Sequence, residues 1–154
     1  MENEHIPFPI ADLRPVFREA FETWASPSPF DFTQTSIERI AQLHIGFYKG
    51  QDLDCPIPFD DLGDFLAHAF YPPSGTLHIN ADKIWAIDPK ILKNTEESYD
   101  LQSVAVHEIG HLLGLDHSRI PEAIMYPTLD SQARKVELHG DDIARINFMY
   151  PRSS

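Results

Sequence analysis

The sequence predicts an α+β fold, and three observations predict it: an apolar stripe at helical spacing near the N-terminus, short alternating segments in the middle, and two more helical segments in the second half. A chain of 154 residues with 42% hydrophobic content suffices for one compact core, so one domain over 1–154 is expected.

The first helix is read from Leu13, Val16, Phe17, Ala20, Phe21 and Trp24, which fall on one face. Asp12 is its expected N-cap, Pro15 then falls in the first turn where no intrahelical donor is needed, and Ser26-Pro27 is its stop. Leu43, Ile45 and Phe47 alternate with His44, Gly46 and Tyr48, the pattern of a strand with one buried face. Residues 30–35 read as a further strand. Residues 49–64 form a long loop rich in Asp, Pro and Gly, a length that in a small domain usually serves function. Residues 65–70 and 76–79 read as short strands around the turn 71–75 (YPPSG), and 88–98 as a polar connection. The second helix opens with Asp100 as N-cap, carries Leu101, Val104, Ala105, Ile109 and Leu112 to Leu113, and stops at Gly114. A last helix spans 141–150, with Asp141 and Asp142 at its positive end.

The formal charge of -12 argues against a nucleic-acid partner, because phosphate binding rests on clustered Lys and Arg. No apolar stretch approaches the roughly 18 residues of a membrane span, so no membrane insertion is expected, and MENEHIPFPI lacks the basic start and apolar run of a signal peptide. Cys55 is the only cysteine, so no disulfide closes within the chain. A monomer is expected.

Residues 107–117 read HEIGHLLGLDH. His107 and His111, four apart on a helix, project from one face and can share a cation. Zinc prefers four tetrahedral ligands, and Gly114, free of a Cβ, can turn the chain so that His117 supplies the third. The fourth position stays open for water, which marks a catalytic rather than a structural zinc. Glu108 is placed to take that water's proton and to pass it to the leaving amine after attack on a zinc-polarised peptide carbonyl. A purely structural site would have no use for Glu108.

HExxHxxGxxH with a downstream Met, here Met125 in AIMYP, is the metzincin pattern. VAVHEIGHLLGLDHS, the FLAHAF segment, Pro58-Phe59-Asp60 and Asp141-Asp142-Ile143 together resemble the matrix metalloproteinase catalytic domain over nearly the whole chain, and GHLLGLDHS with IMYPT is most similar to its plant members. The resemblance implies a twisted, mostly parallel five-stranded sheet with three helices. It also implies an extended substrate antiparallel to the strand at 65–70, and Met125 in a turn beneath the metal. It implies protein or peptide substrates and an extracellular or cell-surface location. Members begin with a cysteine-bearing propeptide, which is absent here, and the N-terminal strand is expected to be reduced to 5–10. The pocket for the side chain after the scissile bond, P1′, is lined in the family by the residue four before the first ligand. Here that is Ser103, whose small size suggests depth and an apolar P1′; Leu129 replaces a Tyr common in relatives.

The resemblance breaks in the long loop. The family's second, structural zinc takes two strand histidines, matched by His68 and His78, and a His and an Asp in the loop, where Leu53 and Cys55 stand. Cys55 can serve as a thiolate ligand with Asp52 or Asp54 completing the set. The alternative is a free thiol with His68 and His78 hydrogen-bonded in the sheet. At the adjacent calcium site Asp60 remains, but Asn80 and Lys83 replace carboxylates, so reduced calcium dependence is expected, with Lys83 pairing Asp60. His5, His44 and His139 are expected to be structural or on the surface, and Trp85 and Tyr126 to pack. Two competing readings stay open: a metal-holding binding module without turnover, and a zinc hydrolase of non-peptide substrates.

Overall fold

A computed structural model describes residues 5–50, 57, 59, 65–94 and 97–152. The order of elements is α1 (Ile10–Ala25), β1 (His44–Tyr48), β2 (Ala67–Ala69), β3 (Thr76–Asn80), β4 (Ile84–Ala86), β5 (Ser98–Asp100), α2 (Leu101–Leu112) and α3 (Gly140–Met149).

The α+β class and three α-helices agree with expectation, whereas the single five-stranded sheet does not. Among the described residues the strands form a three-stranded sheet of order β1-β3-β2 and a separate pair, β4-β5. β1 runs parallel to β3, β2 antiparallel to β3, and β4 parallel to β5. No strand forms at 5–10, because Pro7 and Pro9 lack the donors a ladder needs and Ile10 already opens α1. Nor is 30–35 a strand. Phe30 and Phe32 stack 5.7 Å apart and reach Tyr150 and Phe21, but their backbone joins no strand among the described residues.

α1 starts two residues earlier than Asp12. Pro9 is the N-cap, and its carbonyl accepts from Asp12 and Leu13 at 2.9 and 3.2 Å. Asp12 sits instead in the first turn, where its charge suits the dipole, and Pro15 lies inside the helix rather than at its start. Leu13, Val16, Phe17, Ala20 and Trp24 are buried, as the stripe requires, and face α2. The Trp24 indole donates to Val106 O at 2.7 Å, so the two helices are joined by a polar contact as well as by packing.

The sheet positions β2 beside α2 through β3, whose Leu77, His78, Ile79 and Asn80 are buried. β4 and β5 are three residues each, too short to leave a period in the sequence. Trp85 packs as expected, with its indole donating to Asn80 O at 2.8 Å. The loop at 49–64 lies largely outside the described residues, and so do Asp52, Leu53, Asp54, Cys55, Pro58 and Asp60.

Candidate metal centre and specificity pocket

Asp100 caps α2 as expected, accepting from the Ser103 amide at 3.0 Å. The far end of α2 is a Schellman turn. Gly114 adopts φ +97, its amide donates to His111 O at 2.9 Å, and the Leu115 amide donates to Gly110 O at 2.9 Å. That left-handed residue sends the chain back past the helix and delivers His117 to the two helical histidines.

The ligand atoms of His107, His111 and His117 lie within 4.8 Å of one another. His111 Nε2 and His117 Nε2 are 3.1 Å apart. Zinc–nitrogen bonds of roughly 2.1 Å in a tetrahedron would put ligand nitrogens roughly 3.4 Å apart, so the triad fits such an ion with small adjustment. Carbonyls fix the tautomers: His107 Nδ1 donates to Ile124 O at 2.8 Å and His111 Nδ1 to Leu115 O at 2.7 Å. Each ring thereby turns an unprotonated Nε2 toward the shared point. Beside them Glu108 is buried, its Oε2 without a hydrogen-bond partner. A buried carboxylate oxygen without a donor is costly unless a cation or water completes it, which agrees with a metal at the triad.

Burial sets the protonation of these groups. His107 is pushed down to about 4, first by desolvation, with its bond to Ile124 opposing and His111, His117 and Lys135 adding to the shift. His111 is also lowered, chiefly by burial. Glu108 is pushed up to about 8 by burial, against a hydrogen bond from the Ala69 backbone. A lowered histidine stabilises the fold fully above its ordinary value of 6.5, and that contribution is lost as pH falls toward 4. Glu108 acts with the opposite sign, its contribution being complete below 4.5 and lost as pH rises through about 8. In metal-free protein the thermal midpoint is therefore expected to peak near pH 6.5 and to fall more steeply toward acid, where His68, His78, His107 and His111 all resist a proton. A midpoint level from pH 7 to 4, followed by scanning fluorimetry in chelator, would contradict this.

Met125 is fully buried beneath the triad. Gly110, between the two helical ligands, is what admits it: a Cβ there would collide with Met125 Sδ and come within 2.9 Å of the Trp24 ring. The Met125 turn is held by Asp142, itself inaccessible to solvent, which accepts from the amides of Ile124 at 2.8 Å, Met125 at 3.1 Å and His139 at 2.9 Å. His139 caps α3 by accepting from the Asp141 amide, so its expected structural role is specific. Gly110 and the anchoring role of Asp142 escaped the sequence reading. A glycine in the middle of a helix is the one signal that pointed to the first.

A pocket opens beside the triad, lined by Leu66, Ser103, Val104, Glu108, Leu129 and Lys135 among others. Ser103 does line it, but the space beside its small side chain is contested. Its hydroxyl donates to Asp100 Oδ2 at 2.5 Å and accepts from the Lys135 amide at 2.8 Å. Arg134 Nη1 lies 2.8 Å from both oxygens of the buried Asp100 carboxylate, so the segment after Pro127 is tied to the start of the catalytic helix. Neither Arg134 nor Lys135 stood out in the sequence.

His68 and His78 face each other across β2 and β3, with His68 Nε2 3.3 Å from His78 Nδ1. Phe59 stacks on His68 at 4.6 Å and Tyr48 lies 4.1 Å from His78, an aromatic jacket that lowers both rings by burial. Cys55, the third candidate ligand, lies outside the described residues. Asn80 Oδ1 accepts from the Asp82 amide and Nδ2 donates to Phe65 O, so this side chain builds the turn after β3. Asp60, the expected partner of Lys83, also lies outside the described residues.

The matrixin model of the Peptidase_M10 family matches residues 1–151. Metalloendoproteinase 1-MMP of Arabidopsis thaliana is 45% identical over 139 residues, covering 90% of this chain and 38% of that protein. Metalloendoproteinase 1 of Glycine max is 43% identical over 132 residues, covering 85% of this chain and 43% of that protein. Human Matrix metalloproteinase-19 is 32% identical over 160 residues, covering 98% of this chain and 30% of that protein. The chain thus spans well under half the length of these relatives. With a family match running from end to end and a histidine triad of the right geometry, the chain belongs to the matrixins, a zinc-dependent family of metalloendopeptidases.

Proposed function

We propose that this chain is a zinc-dependent endopeptidase domain in which His107, His111 and His117 hold the metal and Glu108 moves the proton. The convergence of three ring nitrogens beside a buried, unpartnered Glu108 oxygen is the observation that carries this reading. When bound, zinc would polarise the scissile carbonyl, acidify a water molecule and, by its charge, favour the carboxylate form of Glu108 against the effect of burial. Glu108 then accepts the proton of the attacking water on one carboxylate oxygen and donates it to the nitrogen of the leaving amine. β2, the edge strand of the three-stranded sheet among the described residues, pairs with an extended substrate, and Leu66, Val104, Ile124 and Leu129 receive an apolar stem at P1′.

Names of the relatives support a protein substrate and, with the resemblance, an extracellular setting. No helix among the described residues is long and apolar enough to cross a membrane. His68 and His78 hold a second, structural zinc if Cys55 reaches them, and calcium dependence is reduced. The direct test is cleavage of an internally quenched peptide with Leu at P1′ by zinc-loaded protein, with the cut mapped by mass spectrometry. Zinc-loaded protein that leaves such peptides intact would sink the reading in favour of a binding module.

A further inference from the structure

Lys135 Nζ donates to two backbone carbonyls, Pro121 O at 2.6 Å and Ala123 O at 3.0 Å. It also lies 5.7 Å from the centre of the Tyr126 ring. An ammonium carries three donors, so these two bonds leave one unused. Among the described residues no carboxylate forms an ion pair with it: the ion pairs there belong to Lys49, Arg134 and Arg145. Lys135 and Tyr126 both line the pocket, whose other walls include the apolar Leu66, Val104, Ile124 and Leu129 and the polar Ser103, Glu108 and Thr128. The backbone of Lys135 is fastened as well, its amide donating to Ser103 Oγ. The cation is thus held by two neutral carbonyls, at the margin of a pocket in which Glu108 is the one carboxylate among the lining residues.

Resting on the peptidase reading above, we infer that Lys135 is a specificity-determining residue. It adds a hydrogen-bonding cation to a pocket with both apolar and polar walls, which therefore favours P1′ side chains with an apolar stem and a terminal oxygen acceptor. Glutamine and glutamate are the natural side chains of that form, the carboxylate gaining most because a bond between charged partners is the stronger. Leucine fills the same walls but leaves the third ammonium donor unmatched.

The test compares peptides identical except for Leu, Gln or Glu at P1′. Their kcat/KM is measured on zinc-loaded wild type, Lys135→Met and Lys135→Arg. Their Kd is measured by fluorescence anisotropy in the Glu108→Ala background with and without Lys135→Met, which requires no turnover. The ratio of Gln to Leu is expected to fall about ten-fold on Lys135→Met, and that of Glu to Leu further, as the loss of one charge-assisted hydrogen bond implies. Lys135→Arg should keep most of both ratios. Thermal unfolding of each variant separates a lost fold from a lost preference, since misfolding lowers all three peptides together. Ratios unchanged within two-fold in Lys135→Met, or no measurable binding of any peptide, would overturn the inference. Binding ratios that shift as expected in protein that cleaves nothing would sustain it while refuting the peptidase reading.

Discussion

Replacing Glu108 by alanine is expected to lower kcat on a Leu-P1′ peptide by about 10³-fold while leaving the zinc content of the triad intact, the scale of a positioned general base being about 10²- to 10⁴-fold. The zinc content should hold because the rings of His107 and His111 are oriented by Ile124 O and Leu115 O, not by Glu108. KM should move little, since the walls of the pocket remain. Stability of the metal-free protein should change little, because the variant removes a buried oxygen with no partner but also the acceptor of the Ala69 amide. The combination is diagnostic: a variant that loses activity together with zinc would assign Glu108 a structural part instead. Metal analysis, steady-state kinetics and a melting curve on one preparation decide between them.

Asp142→Ala is expected to cost about 3 to 5 kcal/mol of unfolding free energy, because two buried amides and one part-buried amide each lose their acceptor, at about 1 to 3 kcal/mol for each buried one and less for the third. Those amides belong to Ile124, Met125 and His139, so the turn beneath the metal and the cap of α3 are released together. Small domains hold roughly 5–15 kcal/mol in all, and such a loss leaves a marginal fold. Zinc affinity should fall too, since Ile124 O is what fixes the tautomer of His107. Asp142→Asn, which keeps one oxygen, should lose about half as much. Urea unfolding within 1 kcal/mol of wild type for the alanine variant would show that water or a rearranged turn satisfies the amides instead.

How legible these features are in the sequence follows from how local they are. The triad, Glu108 and the Schellman glycine fall within eleven consecutive positions, where helical periodicity and one left-handed residue define the geometry. The cap at Asp100, the stop at Ser26 and the buried stripe of α1 are equally local and were read correctly. The start of α1 was misplaced because a proline cap uses no side chain and leaves no polar signal, while Asp12 looks like one. β4 and β5 went unseen because three residues cannot display an alternation. Residues 30–35 alternate as a strand does, yet the rings of Phe30 and Phe32 are consumed by packing on Phe21 and Tyr150, and strand identity depends on a partner the sequence does not name. Arg134 and Lys135 were illegible for a related reason. A basic pair in a loop is ordinarily solvated, and only the fold brings it against Asp100 and the pocket.

The compactness of the metal-binding segment has an evolutionary reading. The three candidate ligands and Glu108 come from one uninterrupted stretch, whereas the walls of the neighbouring pocket come from scattered positions, from Leu66 to Lys135. Mutation and drift can therefore rewrite the pocket piecemeal, through the segment after Pro127, while the ligand-bearing stretch is inherited as one piece. Diversification of a lineage built this way needs no intermediate that has lost its catalytic apparatus.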